Sequence, residues 1–133
     1  MITISHLTKI FEGKGPRVPA LEDVNLEIGK GDIYGIIGMS GAGKSTLLRC
    51  LTLLERPTSG QIMLAGHDIA SLSGAQLRAA RRGMGVVFQG YNLLMQKTVA
   101  ENVAFPLRLE KGYDKAAVQA RVAELLAIVG LED

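Results

Sequence analysis

The sequence predicts an α/β fold that combines a buried strand, a phosphate-binding loop and a helix with a small antiparallel β subdomain. Residues 38–45 read GMSGAGKS and fit the pattern G-x-x-x-x-G-K-[ST] at every fixed position. The preceding run, Ile33–Ile37, is short, apolar and followed by a glycine, which predicts a strand buried on both faces. Leucines at positions 47, 48, 51 and 54 then follow the spacing of a helix that packs on a sheet. Strand, loop and helix in this order favour a nucleotide site over a glycine-rich turn that merely starts a helix.

The glycines of the loop give it the backbone freedom that phosphate binding needs. Gly38, Gly41 and Gly43 permit backbone angles that are closed to residues with a Cβ, so that successive N–H groups turn inward around an anion. The loop leads into the positive end of a helix dipole, which also attracts phosphate.

Three polar residues complete the predicted site. We expect Lys44 to reach the β- and γ-phosphates of a nucleotide, Ser45 to offer its hydroxyl to Mg²⁺, and Thr46 to donate to the α-phosphate. The predicted ligands are therefore ATP and Mg²⁺. The predicted nucleotide-binding residues of the loop are Gly38, Met39, Ser40, Gly41, Ala42, Gly43, Lys44, Ser45 and Thr46.

Composition excludes several classes of protein. The 133 residues form one domain or part of one, and their mean hydropathy of +0.21 is ordinary for a packed α/β protein. No apolar run is long enough to span a bilayer and no signal peptide is visible, so we expect the protein to stay in the cytosol. A net charge of +2 is too small to indicate nucleic-acid binding. The lone Cys50 is predicted to be a small core residue.

The first half of the chain predicts further strands. Apolar residues near the start, and those alternating from Leu21 to Ile28, predict two half-exposed strands joined by a loop over Glu12–Pro19. The helix from Lys44 is expected to stop at Glu55–Pro57, because the residue before a proline avoids the helical region. Gln61–Ala65 predicts another strand.

The second half alternates helices with one further strand. A short helix is predicted around Ser73–Arg82, followed by a second buried strand, Met84–Phe88, which ends on Gln89. Thr98 and Glu101 form the pattern of a capping box that opens a helix.

Residues with known helix-ending or helix-capping preferences mark the bounds of the last two helices. Pro106 is expected to end or kink the helix that the capping box opens. A final helix should run from an N-cap at Asp114 to a C′ residue at Gly130.

With the phosphate loop, Phe88–Gln89 after a predicted strand, and Phe11 ahead of Ala20–Leu21, the whole chain resembles the ATP-binding subunits of ABC transporters. The resemblance implies that Phe11 stacks on the adenine, which its ring face favours. It also implies that Gln89 reaches Mg²⁺ or the attacking water. Lys44 and Gln89 are then the implied catalytic residues, and Ser45 and Gln89 the implied metal ligands. The alternatives are that Phe11 is a core aromatic and that Gln89 is an ordinary polar residue at a strand end. The position of Gln89 directly after a predicted buried strand argues against the second alternative.

Finer similarity indicates one branch of the family. Residues 37–46, 53–58 and 92–94, with Thr98–Val99 and Asn102–Ala104, are similar to the ATP subunit of bacterial methionine importers. Subunits for other amino acids, phosphonates, lipoprotein release or cell division share much of this pattern. The resemblance implies an ATPase (a translocase) that drives solute import through a permease transmembrane subunit, acting as a homodimer with a second copy. It further implies an indirect solute-binding partner and a peripheral position on the cytoplasmic face of the inner membrane.

The family's later motifs are missing, so the fold is expected to be an ABC ATPase truncated before the signature motif. Residues 1–133 would be the N-terminal part of its nucleotide-binding domain, with the phosphate loop at 38–46, the glutamine loop near 89 and a helical subdomain from about 98. Three stretches imitate the missing motifs and are rejected on order or spacing: Leu72–Gln76, Ile62–Asp68 and Leu125–Asp133. We expect this fragment to bind nucleotide weakly, to hydrolyse almost none, and to be marginally stable.

Two other functions stay open at this point. A small P-loop kinase would need an acceptor site and a lid arginine, and Phe11 and Phe88–Gln89 argue against it. A non-hydrolysing nucleotide-binding module is physically reasonable for a chain of this length.

Overall fold

The computed structural model describes residues 1–13, 17–109, 112 and 114–131, and these form two compact units, 1–86 and 87–133. The first unit contains β1 (Ile2–Ile10), β2 (Pro19–Ile28), α1 (Lys44–Leu51), β3 (Ser59–Leu64), β4 (His67–Asp68) and α2 (Gly74–Arg82). The second contains α3 (Val99–Arg108) and α4 (Lys115–Ile128). Within these described ranges no helix has both the length and the apolar character needed to cross a bilayer.

The first unit is built on an antiparallel sheet with strand order β2-β1-β3-β4. One cluster of buried side chains joins the sheet to α1 and to the turns that follow it. Its members are Ile4, Leu7, Leu21, Leu47, Cys50, Leu53, Ile62 and Ile69. Cys50 is fully buried, which confirms its prediction as a small core residue.

A bulge in β1 explains how Ile4 and Leu7, which are three positions apart, both lie in that core. Ile4 and Leu7 are both buried, although side chains three positions apart in a regular strand face opposite sides of the sheet. The pairing register shifts between them, and His6 takes a left-handed φ of 52°. The bulge therefore turns Leu7 back to the buried face.

The two strands that were predicted to be buried on both faces are not formed. Residues 33–37 and 84–88 have irregular backbone, and Ile33, Ile37 and Val87 are almost fully exposed. A short apolar run indicates that a segment prefers to be buried. A strand also needs a neighbouring strand whose backbone pairs with its N–H and C=O groups. Within the part of the chain that the structure describes, no strand pairs with either segment.

Two boundaries in the first unit also differ from prediction. Helix α1 ends at Leu51 rather than near Glu55, because Leu53 adopts a left-handed φ of 56° that turns the chain earlier than the proline requires. Strand β2 begins at Pro19, inside the predicted loop. The middle of that loop, residues 14–16, lies outside the described residues.

Local capping signals predicted the second unit well. The reciprocal hydrogen bonds of the capping box between Thr98 and Glu101 are present at the start of α3. Asp114 caps α4 by accepting a hydrogen bond from the Ala117 N–H at 2.7 Å. Gly130 has the left-handed φ of 70° expected of a C′ residue. Pro106 lies inside α3, which ends shortly afterwards.

The three imitation motifs are structurally ordinary. Leu72–Gln76 is a turn that leads into α2, and Ile62–Asp68 passes from β3 through a turn into β4. Residues 125–131 continue α4 into its C-terminal turn, where the Leu131 N–H donates to the Leu126 carbonyl at 2.9 Å. The predicted turn before α2, the turn after β3 and the helical spacing of residues 125–128 are confirmed, and Glu132–Asp133 lie outside the described residues.

Helices α3 and α4 pack against each other through a small apolar cluster. Ala104 from α3 and Val118 and Val122 from α4 are its buried members. This helix pair forms the body of the second unit.

Candidate functional site

The phosphate loop lies against the start of β2. Gly43, the N-cap of α1, has a φ of 86° in the left-handed region. A Cβ at this position would lie 2.6 Å from the Ala20 carbonyl oxygen and 3.0 Å from Leu21 Cδ2. Gly43 is therefore required for two reasons, backbone angle and space, and the contact fixes the loop to the sheet.

Helix α1 presents an open N-terminus at the end of this loop. No side chain caps it, and its first helical hydrogen bond runs from the Leu47 N–H to the Gly43 carbonyl at 2.9 Å. The N–H groups of Lys44, Ser45 and Thr46 precede that bond and have no acceptor within the helix. They provide the positive end of the α1 dipole, which suits an anion.

Lys44 folds its side chain back over the loop. Its ammonium donates to the carbonyl oxygens of Gly38 at 2.7 Å and Met39 at 2.8 Å. The Ala42 N–H also donates to the Met39 carbonyl at 3.2 Å, which closes the loop into a turn. The ammonium and the open N–H groups thus lie at the two ends of one short loop, where they could act on the same anion.

The remaining loop residues are accessible. Met39, Ser40, Ala42 and Ser45 are exposed, and Thr46 is half-buried on α1. Among the described residues no group of three or more His, Cys, Asp and Glu side chains is placed to hold a metal ion. A divalent cation here would depend on the Ser45 hydroxyl and on oxygens of the bound ligand, a donor set that suits Mg²⁺ on a nucleotide.

Phe11 lies at the end of the sheet that the phosphate loop contacts. It follows β1 directly, and the last β1–β2 pair, Ile10 with Pro19, is adjacent to the Ala20 carbonyl that faces Gly43. The Phe11 side chain is 46% exposed, so it is not a core aromatic. The Lys9 ammonium lies 4.8 Å from the ring centroid, a contact that no sequence pattern indicated.

Gln89 belongs to the second unit, whereas the phosphate loop belongs to the first. Its side chain is exposed on irregular backbone. The implied role of Gln89 stays a prediction.

The apolar segment after Gln89 is held by one side chain that sequence reasoning missed. The Asn102 amide accepts from the Leu94 N–H at 2.8 Å and donates to the carbonyls of Leu94, Lys97 and Thr98 at 3.2, 3.3 and 2.9 Å. A cavity of about 290 Å³ lies beside this clamp. Its lining residues are Asn92, Leu93, Leu94, Asn102, Val103 and Phe105.

Among the residues that the structure describes, three side chains have shifted pKa values. A hydrogen bond from the Thr98 backbone N–H, helped by Lys97, lowers the pKa of Glu101. Burial raises the pKa of the Cys50 thiol. A hydrogen bond from the His6 ring lowers the pKa of Asp23, whose Oδ1 lies 2.7 Å from His6 Nδ1. The β1 bulge at His6 brings these two residues together, a contact that no sequence pattern indicated.

Comparison with known proteins gives one consistent result. Residues 21–133 match the family described as ABC transporter. The chain is 52% identical over 133 residues to the methionine import ATP-binding protein MetN of Desulfitobacterium hafniense, covering all of this chain and 39% of that protein. It is 53% identical to MetN of Symbiobacterium thermophilum, covering 40% of that protein. The chain thus spans about two fifths of the length of these curated relatives.

Solved structures agree with the sequence relatives. The ATP-binding cassette MJ0796, in a dimeric post-hydrolysis state bound to ADP and Pi, superposes with a TM-score of 0.91 at 33% identity, covering 100% of this chain and 59% of that chain. A dimeric structure of MJ0796, a bacterial ABC transporter cassette, gives 0.90 at 32% identity. These matches confirm the predicted α/β ABC ATPase fold and the resemblance to the methionine-import subunits. The chain is a member of the ABC transporter family of ATP-binding cassettes.

Proposed function

We propose that this chain is the nucleotide-binding part of an ATPase subunit that drives methionine import through a membrane permease. The observation that carries the proposal is the phosphate loop, where the Lys44 ammonium and the open N-terminus of α1 lie on one short turn. The solute is proposed from identity of about one half, along the whole chain, to proteins named for methionine import.

Each loop residue has a defined role in this proposal. The backbone N–H groups of residues 41–46 surround the phosphates, and the Lys44 ammonium neutralises the β- and γ-phosphates. A unit charge pair at 4 Å is worth about 4 kcal/mol when the effective dielectric is near 20. The net gain is smaller, since Lys44 first gives up its hydrogen bonds to Gly38 and Met39.

The adenine and the cation use residues outside the glycines. Phe11 stacks on the adenine through its exposed ring face. Ser45 and Gln89 would hold Mg²⁺, which supplies neutralisation of phosphate charge when bound. Gln89 also positions the attacking water in the proposed hydrolysis.

The proposed partners are a second copy of the subunit, the permease and, indirectly, a solute-binding protein, at the cytoplasmic face of the inner membrane. The permease contact is proposed on the apolar segment Tyr91–Met95, where Tyr91 and Met95 are about nine-tenths exposed. The neighbouring cavity beside Asn102 could receive an apolar side chain from a permease helix. Pull-down with a permease cytoplasmic loop tests this contact, and a Met95→Asp variant should abolish it.

Calorimetric titration with Mg-ATP tests the nucleotide site. The Lys44→Ala variant should bind at least about tenfold more weakly than the parent, because it loses the charge that faces the phosphates. Lys30→Ala is a matched control, since Lys30 is an exposed lysine beyond the far end of β2. Equal affinity for Mg-ATP in the parent and in Lys44→Ala, with circular dichroism showing that both are folded, would refute the proposed site.

A second candidate, a non-hydrolysing nucleotide-binding module, is favoured by one observation. Gln89 and the phosphate loop lie in different compact units, so catalytic assembly is not built into either unit alone. Both candidates predict Mg-ATP binding with background phosphate release from these 133 residues, so the permease pull-down separates them. Capture of the chain by the permease loop supports the importer subunit, whereas nucleotide binding without capture supports the module.

A further inference from the structure

We propose that Lys9 is a positioning residue for the adenine, because it fixes the Phe11 ring with one face covered and the opposite face open. This inference rests on the proposed nucleotide site. It adds a residue to that site which no motif contains.

The Lys9 ammonium is held at a fixed point. Its side chain is only 12% exposed, and its Nζ lies 2.9 Å from Glu55 Oε2. The same ammonium donates to the Arg56 carbonyl at 2.8 Å. Two acceptors from one segment therefore hold the charge in place, 4.8 Å from the centroid of the Phe11 ring.

The backbone that precedes Phe11 is hydrogen-bonded to the same segment, residues 55–58. The Ile10 N–H donates to Thr58 Oγ1 at 2.9 Å, and the Thr58 N–H donates to the Thr8 carbonyl at 2.8 Å. Residues 55–58 follow α1, the helix that begins at the phosphate loop. Lys9 thus connects the ring to the far end of the phosphate-loop helix.

A cation over one face of a ring has two consequences for a ligand. The attraction between the ammonium and the ring restricts the ring to fewer rotamers before the base arrives. Since the cation occupies one face, the base can stack only on the other. Phe11 is 46% exposed, which leaves part of its side chain accessible to a base.

The test compares a ligand that has a base with one that lacks it. Lys9→Met keeps the aliphatic stem and removes the charge. In calorimetric titration of the full chain, we expect the affinity for Mg-ATP to fall about two- to fivefold and the affinity for Mg-tripolyphosphate to stay unchanged. Lys9→Arg should retain the parent affinity for both ligands. Lys30→Met controls for the loss of one positive charge.

A double-mutant cycle completes the test. In a Phe11→Ala background, Lys9→Met should cause no further loss of Mg-ATP affinity. Glu55→Gln, which replaces the charged acceptor of the ammonium by a neutral one while the Arg56 carbonyl still holds it, should show a selective loss of the same kind but smaller than that of Lys9→Met. Circular dichroism establishes that each variant is folded, and Glu55→Gln is the variant to rely on if Lys9→Met unfolds.

Other outcomes overturn the proposal in distinguishable ways. Equal losses for ATP and tripolyphosphate would assign Lys9 to the fold or to general charge. Unchanged ATP affinity, or an additive loss in the Phe11→Ala background, would show that the ring is positioned without Lys9. A parent that binds neither ligand would refute the proposed nucleotide site itself.

Discussion

Replacing Gly43 by alanine should destabilise the first unit and loosen the phosphate loop. The new Cβ would meet the Ala20 carbonyl oxygen at 2.6 Å and Leu21 Cδ2 at 3.0 Å, and the residue would keep a φ of 86°. Both effects act against the native backbone, because neither β2 nor the loop can relax without breaking other contacts.

The two costs can be estimated separately. A left-handed conformation costs a residue with a Cβ about 1–2 kcal/mol. Forcing an extra atom into a packed site costs about 1–3 kcal/mol more. The free energy of unfolding should therefore fall by about 2–5 kcal/mol in Gly43→Ala.

Gly41→Ala is the matched control. Gly41 has nearly the same φ, 82°, but a Cβ there would meet nothing within 4 Å. Gly41→Ala should therefore lose only about 1–2 kcal/mol. Urea unfolding followed by circular dichroism, with hydrogen exchange of the α1 amides to report the first unit alone, measures the difference. Equal losses in the two variants would refute the close approach of loop and strand.

Four further outcomes are expected. Asn102→Ala should weaken hydrogen-exchange protection of the Leu94 amide about tenfold, because that amide loses its acceptor. The pKa of Glu101 is lower in the folded than in the unfolded state, so Glu101 stabilises α3 at a pH above its unfolded pKa. That stabilisation is lost as the pH falls through the folded pKa. Helicity measured below about pH 4 should therefore fall less steeply in Glu101→Gln than in the parent. Thr98→Ala should destabilise the same helix by about 1 kcal/mol in thermal unfolding. Cys50, fully buried with a raised pKa, should react with a disulfide reagent only after urea unfolding.

Controls keep these outcomes specific. Gln119→Ala, on an exposed position of α4, should leave both the exchange of the loop amides and the pH profile unchanged. Rapid thiol reaction in the native state, an unchanged pH profile in Glu101→Gln, or full protection of the Leu94 amide in Asn102→Ala would each contradict the corresponding contact.

Features set by neighbouring residues could be predicted from the sequence. The caps at Thr98, Asp114 and Gly130 depend on hydrogen bonds that span only a few positions, so their residue types are sufficient evidence for them. The phosphate loop is similarly local, since glycine spacing and Lys44 define it without knowledge of the rest of the fold.

Features set by distant residues could not be predicted. The segment 33–37 has the composition of a buried strand, but composition does not supply the neighbour that a strand needs. The contacts of Lys9 with Glu55 and of His6 with Asp23 join positions far apart in the chain, and the second also requires a bulge. Both became visible only when the strand register was known.

The resting position of Lys44 bears on which ions the loop selects. Its ammonium already has two neutral oxygen acceptors in the free protein, so an arriving ion must offer a stronger pair to replace them. Hydrogen bonds to charged oxygens are roughly twice as strong as those to neutral ones, and several charged oxygens on one molecule multiply that advantage. At the proposed nucleotide site, chloride and other small monovalent ions would therefore compete poorly with a polyphosphate.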